Sequence, residues 1–483
     1  MKLAIRSIRN STLGVASLAL FVSTAAASSP DGGSAAAAPS PIPVTILASS
    51  PDTARGFIFL TPTAGGGNAP APSPTSPNAT QIVDGQGRTV WFNQLPSNES
   101  AYDLRVQRFH GEPVITWIQS QGAFSTGPTT DYIADRHYHV IATVNAGHGL
   151  TADIHEFFLT REGTALITIY NTVTRDLSSV GGPTSGLVTE GVIQEIDVSN
   201  GNVLFEWHSL DHVGLDESHA PLPTTAGTAW DYFHLNAVSV DDDGNLLIDA
   251  RNTWAAYRLE RHTGAVLWRL GGKKTDFVLG PNVAFAWQHN PTAVDDHGLV
   301  RIFDNEAAPE VLPYSRVIWV RHDDRRKTAT LERWLKHPDG LSAASQGNAQ
   351  GLDNGDTFVG WGAVPRFSEF DRNNNLLFDA ALPTGYNSYR AYRHEWVGEP
   401  DARPTVIAQR STDGGTSIQV TWNGATEVAR WEVVDEGHVL ASALWNGLET
   451  TISTDAFVRS VVVIAKDREG RDIGRSVRTE VSP

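Results

Sequence analysis

"DYFHLNAVSVDDDGNLLIDARNTWAAYRLERHTGAVLWRLGG" (residues 231–272) holds side by side the two phrases that recur along this chain. Its first half reads as a β-hairpin. Apolar, strand-forming segments flank "DDDGN", with His234 at the start of one arm and Arg251 at the end of the other. Its second half, "RHTGAVLWRL" from 261, is a turn followed by an aromatic-tipped strand.

Working outward, each phrase is found six times. The aromatic-tipped strand returns as "DGQGRTVWF" at 84, "YHVIATV" at 138, "VSNGNVLFEW" at 198, "KTATLERWL" at 327 and "NNNLLFDAAL" at 373. The short β-rich run after a turn returns as "GFIFLTP" at 56, "GEPVITWI" at 111, "GTALITIY" at 163, "GLVRIFDN" at 298 and "GDTFVGWG" at 355. The runs stand roughly 50 to 60 residues apart, stretched to 81 between 163 and 244 by an insertion. Units of several short strands, with almost no helical periodicity, predict an all-β chain built as a six-bladed β-propeller over 41–399. The β-rich runs are read as the inner strands.

Past "EPDARP" at 399 the rhythm changes. "TSIQVTW" (416), "VARWEVVD" (428) and "SVVVIAKD" (460) alternate apolar and polar residues, which predicts a small immunoglobulin- or fibronectin-like β-sandwich over 400–483.

At the other end, residues 1–27 read as a cleaved secretory signal. Lys2, Arg6 and Arg9 precede an apolar run, and Ala25 and Ala27 sit at small-residue cleavage positions. Residues 28–40, "SSPDGGSAAAAPS", read as a linker. A secreted mature chain without an integral membrane segment is expected, and it is not a lipoprotein because the chain has no cysteine. The same lack excludes disulfides, thiolate metal sites and a cysteine nucleophile. The formal charge of −17 argues against nucleic acid and anionic membrane as partners.

Candidate chemistry sits at one register of successive repeats. His155, His234 and His289 each precede a turn glycine (Gly163, Gly244, Gly298) by eight to ten residues. Three histidines suit zinc or copper, but Arg251 beside a dication is electrostatically unfavourable, so no metal or other cofactor is expected. A tetrahedral oxyanion fits better, with imidazoles donating to its oxygens and a guanidinium pairing in two-pronged fashion. Asn236 adds an amide on the face of His234, and Trp230, Phe233 and Trp287 suit a flat aryl group. "RLGGKKTD" at 269 lacks the first glycine and the Ser/Thr of a phosphate-cradling loop, which leaves a nucleotide donor without a home.

With those residues in view, the chain resembles the arylsulfotransferase family, in its shorter actinobacterial and fungal branch, from about 56 to 399. The resemblance is carried by "ADIHEF", "GVIQEIDVSNGNVLFEW", the 231–272 block, "QHNPTAV" and "SYRAYRHEW". It implies a six-bladed propeller that moves sulfuryl groups from an aryl sulfate to a phenolic acceptor without a nucleotide donor. It also implies His289 as a transiently sulfated nucleophile, with His155, His234 and Arg251 around the sulfate and Asn236 as helper. Two features depart from the better-studied bacterial members, which place a β-sandwich before the propeller and carry a disulfide. Alternatives from other classes are a secreted binding or adhesion propeller for an anionic aromatic ligand and a metal-dependent hydrolase or lyase.

Overall fold

The computed structural model describes residues 40–483 apart from 66–75, 123–126 and 413. The signal and all but the last residue of the linker read from the sequence lie outside the described residues. Among the described residues no helix is long and apolar enough to cross a membrane. Among the described residues the chain is all-β, with only short 3₁₀ turns between strands.

Residues 45–394 form six antiparallel sheets, each built mainly from consecutive strands. The central one runs Leu235–Val240, Leu246–Ala250, Ala255–Leu259 and Val266–Gly271 in spatial order. The first strand of each sheet contacts the first strand of the next, through Glu99–Phe109, Ala152–Leu159, Leu235–Val240, His289–Ala293, Asn348–Gly351, Tyr386–His394 and back to Glu99–Phe109. This closed circuit makes the fold β-propeller-like. Tyr386–His394 closes it by pairing with Phe57–Ala64 in the first sheet, while Thr45–Ser49 adds to the outside of the last.

Each sheet shares an apolar core with the next. Trp91, Ile115 and Trp117 lie between the first and second sheets, Ile154, Ile167 and Ile133 between the second and third, and Leu166, Phe233 and Tyr257 between the third and fourth. Trp268, Ile302 and Ile318 follow, then Phe303, Val359 and Trp361, then Phe358, Phe367 and Ile58 back at the first sheet. A strand sandwiched this way is buried on both faces, as all five residues of Leu246–Ala250 are. Truncating a filled position such as Trp361, fully buried, would cost about 3–5 kcal/mol.

That double burial corrects one reading of the sequence. The β-rich runs are the second strand of each sheet; the innermost strands lie one strand further in, and those of the third, fourth and fifth sheets carry or directly follow His155, His234 and His289. The aromatic-tipped phrases fall on the fourth strands, such as Val203–His208, Val266–Gly271 and Thr328–Leu335. "DDDGN" is a hairpin turn, where Gly244 takes φ +83° and the Asp241 carboxylate accepts the amides of Asp243 and Asn245.

Beyond 400, Thr405–Arg410, Thr416–Thr421 and Glu449–Thr454 form one sheet. His438–Leu444, Arg430–Asp435, Ser460–Lys466 and Asp472–Arg475 form another. Both contribute to a core around Trp431, Ile418, Val433 and Val463. This segment is stitched to the first sheet by the Asn423 amide, which accepts from the Phe92 N–H and donates to its carbonyl, each at 2.9 Å.

Candidate functional site

The innermost strands of the third, fourth and fifth sheets each lose regular pairing where they carry a histidine. Register shifts occur opposite the His155 segment, between Leu235 and Ala237, and between His289 and Thr292. Irregular pairing of this kind re-aims side chains. Positive φ angles gather in the same region, at His234 (+58°), Trp254 (+54°), Trp287 (+58°), Asn290 (+51°) and Gln346 (+66°). Each costs roughly 1–3 kcal/mol for a residue with a Cβ, a cost borne only where the surroundings fix it.

The four residues singled out from the sequence come together. The His155 and His234 rings meet edge to face at 5.1 Å. The fixed charge of Arg251 acts on both His234 and His289, and each of these two rings also feels His155.

His155 Nδ1 donates to Asp153 Oδ2 at 2.7 Å, and His234 Nδ1 donates to Asp231 Oδ2 at 2.5 Å. A carboxylate only accepts, so both rings carry a proton on Nδ1, which leaves Nε2 as the atom free to meet a ligand. Neither Nε2 has a hydrogen-bond partner among the described residues. In the neutral form that burial favours for His234, its Nε2 accepts and does not donate. Burial lowers the His234 pKa against the pull of Asp231.

His289 is held differently. Its Nδ1 donates to Asn305 Oδ1 at 2.7 Å, and its Nε2 accepts the Gln346 backbone N–H at 3.1 Å. An amide N–H can only donate, so the lone pair of His289 also lies on Nε2. Burial, and then the charge of Arg251, hold its pKa well below the ordinary histidine value.

Arg251 hydrogen-bonds no carboxylate. One Nη donates to Asn252 Oδ1 at 3.0 Å, the other to the Ala344 carbonyl at 3.3 Å, and Nε is buried without an acceptor. Its guanidinium lies over the Trp287 ring at 4.9 Å, so Trp287 stands at the site as the sequence suggested.

Three other expected contacts go elsewhere. Phe233 and Asn236 are 0% exposed and leave no room even for water beside them. Phe233 belongs to the core with Trp207 and Tyr257, and Asn236 Nδ2 donates to the Gln288 carbonyl. Trp230 joins the same core, its Nε1 donating to the Ala220 carbonyl at 3.2 Å. Phe233, adjacent to His234, takes the opposite, packed face, and the register shift between Leu235 and Ala237 breaks the alternation that would have kept Asn236 on the face of His234.

The sequence reading missed Asp153, Asp231, Asn305, Gln346, Tyr170 and Tyr389. Asp-x-His at 153–155 and Asp-x-x-His at 231–234 were signals for the first two. Tyr170 stacks on His155 at 5.0 Å, and Tyr389 meets the same ring edge-on at 5.7 Å. Below them, Arg390 (1% exposed) joins Asp103 and Glu156 at 3.1 and 2.9 Å, tying the innermost strands of the first three sheets together.

A β-propeller-like fold with an imidazole cluster on its innermost strands is the class of protein defined so far. The sequence profile of the arylsulfotransferase (ASST) family matches residues 105–382, more than half of the chain, and the chain belongs to that family. No curated protein aligns significantly with it. Similar solved structures include a Bacteroides caccae protein of unknown function, at 12% identity and TM-score 0.42, covering 70% of this chain and 98% of that one. The Dos1 propeller is 10% identical with TM-score 0.33, covering 82% and 78%. A streptogramin B lyase is 9% identical with TM-score 0.32, covering 78% and 94%.

Proposed function

We propose that this chain is a secreted aryl sulfotransferase, with six propeller blades over 41–399 and a β-sandwich over 400–483, that carries the sulfuryl group on His289. The observation that carries the reading is Arg251, a half-buried guanidinium with no acid bonded to it and a buried Nε without an acceptor, set among three imidazoles. A partly desolvated cation in that state calls for an anion. The family supplies the kind of anion, an aryl sulfate, and its acceptor, a phenol.

In the first half-reaction the Nε2 lone pair of His289, freed from the Gln346 N–H, attacks sulfur. The N–S bond forms as the S–O(aryl) bond breaks, and the electron pair leaves on the aryl oxygen as phenolate. Asn305 keeps the Nδ1 proton in place. Arg251 answers the charge that spreads over the sulfuryl oxygens. In the second half an acceptor phenol gives its proton to Nε2 of His234, whose imidazolium Asp231 stabilises. The phenolate oxygen attacks sulfur, the N–S pair returns to His289, and His234 gives its proton up to water, which restores the starting state. One pocket serves donor and acceptor in turn, so ping-pong kinetics follow.

Purified protein is mixed with 4-nitrophenyl sulfate and phenol. Nitrophenol release is expected, with one added sulfuryl group on His289 by intact-protein and peptide mass spectrometry. His289→Ala is expected to lower release by roughly a thousandfold or more. No release with any phenol, or an adduct on another residue, sinks the reading as drawn.

A further inference from the structure

The neutral imidazole of His234 presents a lone pair, and a sulfuryl group presents three oxygens that need donors. Arg251 covers part of that demand. The remaining hydroxyl donors at this cluster belong to Tyr170, on Thr164–Arg175, and Tyr389, on Tyr386–His394.

Buried phenols normally find an acceptor. Here Tyr138 donates to the Gly424 carbonyl, Tyr232 to Ser209, Tyr257 to Thr253 and Tyr392 to Asp103. Among the described residues, the phenol oxygens buried without a partner are those of Tyr170 and Tyr389. Both rings touch His155, and the Tyr170 ring also meets His234 at 5.5 Å. Tyr389 is 3% exposed. Two unmet donors at one imidazole pair are what an oxygen-rich ligand would satisfy.

Resting on the aryl sulfotransferase reading, we propose that the Tyr170 and Tyr389 hydroxyls are catalytic hydrogen-bond donors to the oxygens of the transferring sulfuryl group. Arg251 is then the charged part of the cradle and the two phenols its neutral part. Burial pushes the pKa of both phenols well above the ordinary value, so they stay protonated and donate without giving the proton away. No bond to hydrogen breaks in this role.

Tyr170→Phe, Tyr389→Phe and the double variant keep the rings against His155 and remove only oxygens that have no protein partner. A purely structural role therefore predicts unchanged activity. The donor role predicts a fall in kcat/KM of roughly tenfold to a hundredfold per hydroxyl, carried by kcat, with melting temperature unchanged or raised. A wild-type enzyme that turns over 4-nitrophenyl sulfate while the double variant stays within twofold overturns this inference alone. A wild type that transfers to no phenol removes the underlying reading and this inference with it. A loss of activity matched by a fall in melting temperature assigns the hydroxyls to packing and also overturns the proposal.

Discussion

The same strands end in two very different polar regions. His234 stands just before Leu235–Val240 and Asp241 just after it; His289 opens His289–Ala293 and Asp295 soon follows. The aspartate end opens into a cleft of about 710 Å³, lined by Asp241, Asp243, Asp295, Arg258, Arg321 and His322. These six residues already have polar partners. Arg258 pairs with Asp241 at 2.6 Å and Asp243 at 2.5 Å, Arg321 with Asp295 at 2.9 Å and with Glu332, and His322 with Asp324 at 2.8 Å. At the histidine end a guanidinium has no acid bonded, and two phenols have no acceptor. Unmet demand, rather than open volume, marks the end of the strand where a ligand belongs.

Arg251 gives the hardest test of that contrast. Arg251→Ala is expected to lower kcat/KM for 4-nitrophenyl sulfate by about a hundredfold or more, since one preorganised donor to a developing oxyanion carries that much. Arg251→Lys keeps the charge but loses the planar fork, and is expected to recover only part of the loss. Full activity in either variant would break the comparison, because the unpaired cation would then serve nothing at the reaction centre.

The sequence and the structure agree best where chemistry and periodicity coincide. The fourth strands announce themselves through a turn and an aromatic tip, and all six phrases fall on them. The innermost strands do not. "HNPTA" at His289–Ala293 is short, polar and bulged, so nothing in its composition marks it as a strand, whereas the second strands, buried on both faces, read as continuous apolar runs. The inner label therefore fell one strand too far out. The histidine register survived because each imidazole keeps its distance from a turn glycine. Tyr170 and Tyr389 were illegible, since the chain closure that brings residue 389 beside residue 155 leaves no local mark. Phe233 and Asn236 misled for the converse reason: nearness along a strand says little about which face a side chain takes.

Acidity offers a gentler probe. Burial depresses the pKa of His289 and of His234, so both rings stay neutral below the ordinary value of about 6.5. The kcat/KM plateau is expected to run through pH 6.5 without an inflection and to fall only at lower pH. Stability carries the matching sign. Below about 6.5 the unfolded chain takes up protons that the folded histidines refuse, so folding free energy declines as pH falls. A roughly tenfold drop in kcat/KM per pH unit beginning at 6.5 would place these rings in a solvated setting.

The smallest effect belongs to that cleft. Arg321 is about a third exposed and shared between Asp295 and Glu332, so its pairs screen one another and are worth about 1 kcal/mol or less. Arg321→Ala is expected to leave kcat/KM within twofold of wild type and to move the melting temperature only slightly. Arg251 and Arg321 are the same residue type at opposite ends of neighbouring sheets, and each stays charged at neutral pH. The two alanine variants therefore differ in whether the guanidinium already has its anion, not in the charge removed. Equal losses of activity from the two would mean that the field of the whole propeller, rather than one unpaired cation, draws in the substrate.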